Sequence, residues 1–89
     1  MTINKRPIGE IIANRLKERQ MKQKDLALMV GLPAPMISEY INGVRKVSPK
    51  SCIAIGLALG FEPYELGRMQ SDYYILQAFK EVMAKTKES

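Results

Sequence analysis

Residues 23–43, QKDLALMVGLPAPMISEYING, constrain the fold of this chain more than any other stretch. Leu26, Ala27 and Val30 fall at i, i+1 and i+4, the inner stripe of a two-turn helix. Gly31 supplies a backbone that can stop such a helix and turn. After Leu32-Pro33 a second stripe follows, with Ile37, Tyr40 and Ile41 at i, i+3 and i+4, and Gly43 closes it. Helices this short, joined by about four residues, do not persist alone in water. Other helices of the chain must clamp them.

Two short clamped helices with a tight corner between them form the helix-turn-helix pattern, whose second helix can enter the major groove of DNA. With Ile37, Tyr40 and Ile41 inward, Ala34, Pro35, Ser38, Glu39 and Asn42 point wholly or partly outward. Gln23 and Lys24 begin the first helix, where free backbone N–H groups and the helix dipole favour a phosphate. Arg45 and Lys46 follow the second helix and are placed to hold a phosphate on the other side. Spacing alone also admits a plain αα corner with solvated charges.

The rest of the chain bounds the choice. Its 89 residues suit one domain, residues 1–89, with a single core. There is one cysteine, Cys52, and no histidine. An internal disulfide is therefore impossible, and a reducing interior is the simplest expectation. No zinc site, catalytic triad or Cys-His pair can be assembled, and no motif suggests carboxylate or Ser/Lys chemistry. The expectation is a non-enzyme without metal or cofactor. Fourteen basic residues against nine acidic give a formal net charge of +5, which suits an anionic partner and equally suits plain solubility. The apolar run 52–59, CIAIGLAL, is too short to span a bilayer. Lys5-Arg6 is not followed by the apolar stretch of a signal peptide. The expectation is a soluble cytoplasmic protein.

Residues 1–6 carry no periodicity and read as a loose arm. The first helix should run from Pro7 or Ile8 to Arg19, with Ile8, Ile11, Ile12 and Leu16 inward and Arg15, Lys17, Glu18 and Arg19 on a solvated face. Ser48-Pro49 is a strong helix start. The helix it opens should reach Leu59, with Gly60 as its cap, and should be buried nearly all round by Ile53, Ile55, Leu57, Ala58 and Leu59. Gly56, costly in a helix interior, implies close packing, and Cys52 reads as a small core hydrophobe. Residues 7–60 would form the core. The region 62–85 begins at Glu62-Pro63 and continues helical to about Ala84, with a break near Gly67 or Ser71. Ile75, Leu76, Phe79, Val82 and Met83 make an amphipathic stripe there. Because the domain has closed before this point, the stripe is expected to serve association, with a second copy or another protein, in preference to folding back. Tyr64, Tyr73 and Tyr74 can sit at its rim or be ordinary half-buried tyrosines.

Gln23-Lys24-Asp25-Leu26-Ala27, then Gly31, Ile37-Ser38 and Asn42-Gly43-Val44-Arg45, resemble the Xre or lambda-repressor-like helix-turn-helix family, with its Q-x-x-L-A, Gly, I-S and G-x-R pattern. Gly9-Glu10-Ile11-Ile12, placed before the first helix, resembles the start of HigA-type antitoxins. Leu59-Gly60, Pro63, Gln70, Tyr73 and Leu76 resemble their tail. The resemblance covers residues 7–79. It implies an all-α, compact five-helix domain with a C-terminal amphipathic helix. It also implies a homodimer on double-stranded operator DNA, a RelE-like toxin as partner, and repression of the shared operon. Residue by residue, Gln23 would take the phosphate- or base-contacting glutamine. Ala34, Pro35 and Glu39 would face bases, and Met36, Asn42, Arg45 and Lys46 would lie by the backbone.

Pro33-Ala34-Pro35-Met36 depart from the polar residues usual at the start of the recognition helix. None of the four can make a bidentate bond to a base. Ala34 and Met36 can touch a thymine methyl, and Glu39 can accept from a cytosine amine. Affinity would lean on Lys22, Lys24, Arg45 and Lys46, giving modest, salt-sensitive binding with narrow base readout. An extra Ile8 also separates Pro7 from Gly9 relative to the family's usual start. Two functions follow: a dimeric DNA-binding repressor, as an antitoxin or a stand-alone phage-type repressor, or a protein-interaction module that neutralises a partner with weak or no DNA binding.

Overall fold

The computed structural model describes residues 7–88, so the arm expected at 1–6 lies outside the described residues. Within them the chain forms five helices and no strand: α1 Ile8–Glu18, α2 Gln23–Val30, α3 Ala34–Ile41, α4 Pro49–Ala58 and α5 Glu65–Glu88. The all-α, five-helix expectation holds. The periodicities read from the sequence become the core: Ile8, Ile12 and Leu16 of α1 meet Leu26 and Ala27 of α2, Ile37 and Tyr40 of α3, and Cys52 and Ile55 of α4. Ile11, Val30 and Ile41, also read as inward, pack against this cluster while partly exposed.

Local chemistry sets the boundaries. Pro7, with its fixed φ, stands at the N-cap of α1. Asp25 Oδ2 accepts a hydrogen bond from the Lys22 N–H (3.0 Å) and caps the start of α2. Gly31 ends α2 at φ +70, left-handed backbone that disfavours a side chain. Its successor closes the turn, as the Leu32 N–H donates to the Ala27 carbonyl (3.0 Å). Ser48 Oγ accepts from the Ser51 N–H (3.2 Å), the cap expected from Ser48-Pro49.

Several expectations are corrected. The Gly9-Glu10-Ile11-Ile12 run is the first turn of α1 and does not precede it. Gly9 is buried because α1 passes directly beneath the end of α3. A Cβ on it would collide with the Ile41 carbonyl oxygen and lie 2.5 Å from that of Tyr40. Arg15 leaves the solvated face assigned to it. Its Nη1 donates to the Leu59 carbonyl (2.7 Å), a cation at the end of α4, and its guanidinium lies 3.9 Å from the centre of the Phe61 ring. Helix α4 is one-sided: Ile53 and Leu57 are 41% and 56% exposed. A window rich in Ile and Leu shows that a helix needs cover, and says nothing of whether one chain supplies it.

Helix α5 runs unbroken through Gly67 and Ser71 and past Ala84. Glu65 Oε1 caps the Glu62 N–H (3.1 Å), and Leu66 and Met69 pack on the core. These contacts offset the roughly 1 kcal/mol that Gly67 costs. The core accordingly extends beyond residue 60, through Phe61 and Leu66.

Gly56 packs against the start of α5 with room to spare. The atoms nearest a Cβ there, the Glu62 carbonyl oxygen and Leu66 Cδ1, lie at 3.7 Å, ordinary van der Waals contact. Gly56→Ala is expected to stabilise the protein by about 0.5–1 kcal/mol, through the helical preference of alanine. A urea titration that shows a loss instead would mean the α4–α5 contact is tighter than these distances. Cys52 is buried, and desolvation pushes its thiol up from the ordinary value, as befits a core hydrophobe.

Candidate nucleic-acid interface

The corner α2–Gly31–α3 lies at the surface, with α2 packed on α3 and α4, and α1 beneath α3. Lys22, Gln23 and Lys24 are exposed at the start of α2, where the first N–H groups of a helix have no intrahelical acceptor. Ala34, Pro35 and Asn42 are exposed on α3 and at its C-cap, Ser38 and Glu39 are half-buried, and Arg45 and Lys46 are exposed in the following loop. Ten of the eleven proposed contact residues thus retain an outward face. Met36 differs, because it is half-buried and packs against the core. Sequence spacing left it between the inner and outer faces of α3.

The start of α3 is poor in donors. Pro35 has no N–H, and the Met36 N–H is spent on the Pro33 carbonyl (3.0 Å). The outward side chains are partly engaged with one another. Asn42 Nδ2 donates to Ser38 Oγ (3.3 Å). Arg45 Nε donates to Glu39 Oε1 (2.8 Å), and the Val44 and Arg45 N–H groups both reach the Glu39 carbonyl oxygen (2.9 and 3.3 Å). This bond to Glu39, with the attraction of its charge, raises the Arg45 pKa. Lys46 is turned the other way, its Nζ 4.3 Å from the centre of the Tyr74 ring on α5.

The loop that carries both cations is tied down by a residue that spacing did not single out as functional. Gln70 of α5 pairs with Val47 in both directions: the Val47 N–H donates to its Oε1 (3.0 Å), and its Nε2 donates to the Val47 carbonyl (2.8 Å). Below, the Tyr40 hydroxyl donates to Ser51 Oγ (3.2 Å) and joins α3 to α4. The family resemblance at Gln70 was the one signal for it; no periodicity marks a side chain that copies a backbone partner.

The stripe expected to serve association is uncovered. Ile75 and Phe79 are 64% and 59% exposed, Val82 and Met83 are exposed, and Leu76 is half-buried. Tyr64 and Tyr74 are exposed, and Tyr73 is half-buried with its ring edge-on to Tyr74 at 5.3 Å. No helix among the described residues is long and apolar enough to cross a membrane.

These features define a five-helix, lambda-repressor-like helix-turn-helix domain. The model of the helix-turn-helix family HTH_3 matches residues 12–66, more than half of the chain, and the protein belongs to that family. Solved structures extend the likeness over nearly all of the chain. An addiction module antidote protein of the HigA family from Coxiella burnetii superposes with a TM-score of 0.82 at 23% identity, covering 98% of this chain and 96% of that one. The Pseudomonas aeruginosa antitoxin HigA, determined with the higBA promoter, gives 0.79 at 23% identity, covering 94% and 95%. The DNA-binding domain of the P22 c2 repressor gives 0.66 at 28% identity, covering 72% and 84%. No curated protein sequence matches at a significant level.

Proposed function

We propose that the protein is a sequence-specific, non-catalytic DNA-binding repressor of the cytoplasm, the antitoxin of a type II toxin–antitoxin pair that represses its own operon. The observation that carries this reading is the exposed face of α3, bounded by Lys22 and Lys24 on one side and Arg45 and Lys46 on the other, on a corner of the helix-turn-helix family. The HigA antitoxin solved with promoter DNA supports it. The reading includes a homodimer on double-stranded DNA and a RelE-like toxin as protein partner. Residues 1–89 act as one domain, with 62–85 as the association region. The uncovered stripe on α5 favours a second reading, a protein-binding module with little DNA affinity.

A fluorescence-anisotropy titration separates the two. Duplex DNA from upstream of the gene should bind more tightly than a scrambled duplex. With Lys22 and Lys24 of each protomer near the backbone, four cations in the dimer, affinity should fall about a hundredfold between 50 and 200 mM salt. Equal or absent binding to both duplexes would refute the repressor and leave the binding module.

A further inference from the structure

The Glu39–Arg45 pair joins the exposed face of α3 to the loop that bounds it, and its geometry assigns Arg45 a different task from a phosphate clamp. Helix α3 carries a single charged side chain, Glu39. Around it, Ala34 and Pro35 have no hydrogen-bonding side-chain group, Ser38 Oγ already accepts from Asn42, and Met36 packs inward. Within α3, readout of a base edge by a charged or bidentate group therefore falls to one carboxylate. An isolated carboxylate beside a polyanion is repelled. Here Arg45 Nε holds Oε1 at 2.8 Å, with the two charges half exposed at 40% for Glu39 and 52% for Arg45. The Val44 and Arg45 N–H groups fix the backbone that carries the arginine to the Glu39 carbonyl. Among the described residues, Oε2 has no bond and is left as an acceptor. In the major groove the base partner that offers a donor and no adjacent acceptor is the cytosine N4 amine.

Resting on the DNA-binding reading above, we infer that Glu39 is the specificity-determining residue, selecting a C·G pair at one position of each half-site, and that Arg45 is its positioning residue, neutralising and aiming the carboxylate. The inference also fits the apolar Ala34 and Pro35 at the start of α3, where contact with neighbouring bases needs only shape.

The test is selection from a pool of duplexes randomised over 20 or so central base pairs, with the full chain and four variants: Glu39→Gln, Glu39→Ala, Arg45→Met and Glu39→Ala/Arg45→Met. Wild type should enrich C·G about tenfold at one position per half-site, the lower end of the discrimination of a base contact. Glu39→Gln should move that preference to A·T, because an amide pairs with adenine N6 and N7. Arg45→Met should flatten the same position while leaving the others unchanged. In the double variant, loss of Arg45 should produce no further change at that position beyond Glu39→Ala. Uniform weakening by Arg45→Met with the C·G preference intact would make Arg45 a phosphate contact and overturn the inference. Unchanged readout in Glu39→Gln would overturn it equally. Failure of wild type to bind any duplex in the pool would remove the repressor reading and this inference together, an outcome distinct from bound DNA with the wrong readout.

Discussion

Replacing Gly9 by alanine is expected to destabilise the protein by about 2–3 kcal/mol. The added methyl would occupy the position of the Ile41 carbonyl oxygen and lie 2.5 Å from that of Tyr40. Both obstacles are backbone, so no side chain can rotate aside; relief requires α1 to lift from α3. Overpacking typically costs 1–3 kcal/mol and occasionally more; against two immovable backbone oxygens the gross cost should reach about 3–4 kcal/mol, less the roughly 1 kcal/mol gained from alanine in a helix. For a domain of this size the melting temperature should drop by roughly 10–20 °C. Urea denaturation and calorimetry measure it, with Gly56→Ala as the control of opposite sign. A neutral Gly9→Ala would mean that α1 and α3 are not apposed as described. Because Ile41 and Tyr40 precede Asn42 and Arg45, the same substitution should also weaken DNA binding in whatever fraction remains folded.

The second large effect concerns α5. Phe79→Glu should convert a dimer sedimenting at twice 10.1 kDa into monomers of 10.1 kDa. Phe79 is exposed within the protomer, so the substitution should shift the stability of the isolated fold by no more than about 0.5 kcal/mol. In an interface the same change would remove on the order of 2 kcal/mol of apolar burial and introduce an unpaired buried charge, a further penalty of several kcal/mol. Together these would weaken a dimer at least a thousandfold. Sedimentation equilibrium of both proteins decides it. A dimer that survives the change would move the interface away from this stripe.

The pattern of success and failure in reading the sequence has a physical basis. Inward stripes, the Ser48-Pro49 start and the Gly31 turn were legible because each depends on neighbours within one or two turns of chain. The break expected at Gly67 or Ser71 was misread for the opposite reason. Local propensity disfavours both residues, and the packing of Leu66 and Met69 on distant helices overrides it. Arg15 fell on the wet face by spacing, yet its partner is a carbonyl 44 residues away. Gly9 entered only through family likeness, since its small size answers to α3. At the candidate interface the exposed positions were legible from the two stripes. The bond between Glu39 and Arg45 was not, because it crosses the end of a helix into a loop with no period.

The unbroken course of α5 makes it a rigid arm. At 1.5 Å per residue its 24 residues extend about 36 Å, in a molecule whose longest dimension is 50 Å. Leu66 anchors the near end in the core, and Gln70 fastens the next turn to the loop that follows α3. The far end therefore has a fixed phase relative to α3, as a pointer has to its dial. A residue inserted between Gln70 and Ile75 would turn the apolar stripe by about 100° without disturbing the core. In a dimer built on that stripe, the distance between two recognition helices, and with it the permitted gap between operator half-sites, is written in the register of α5.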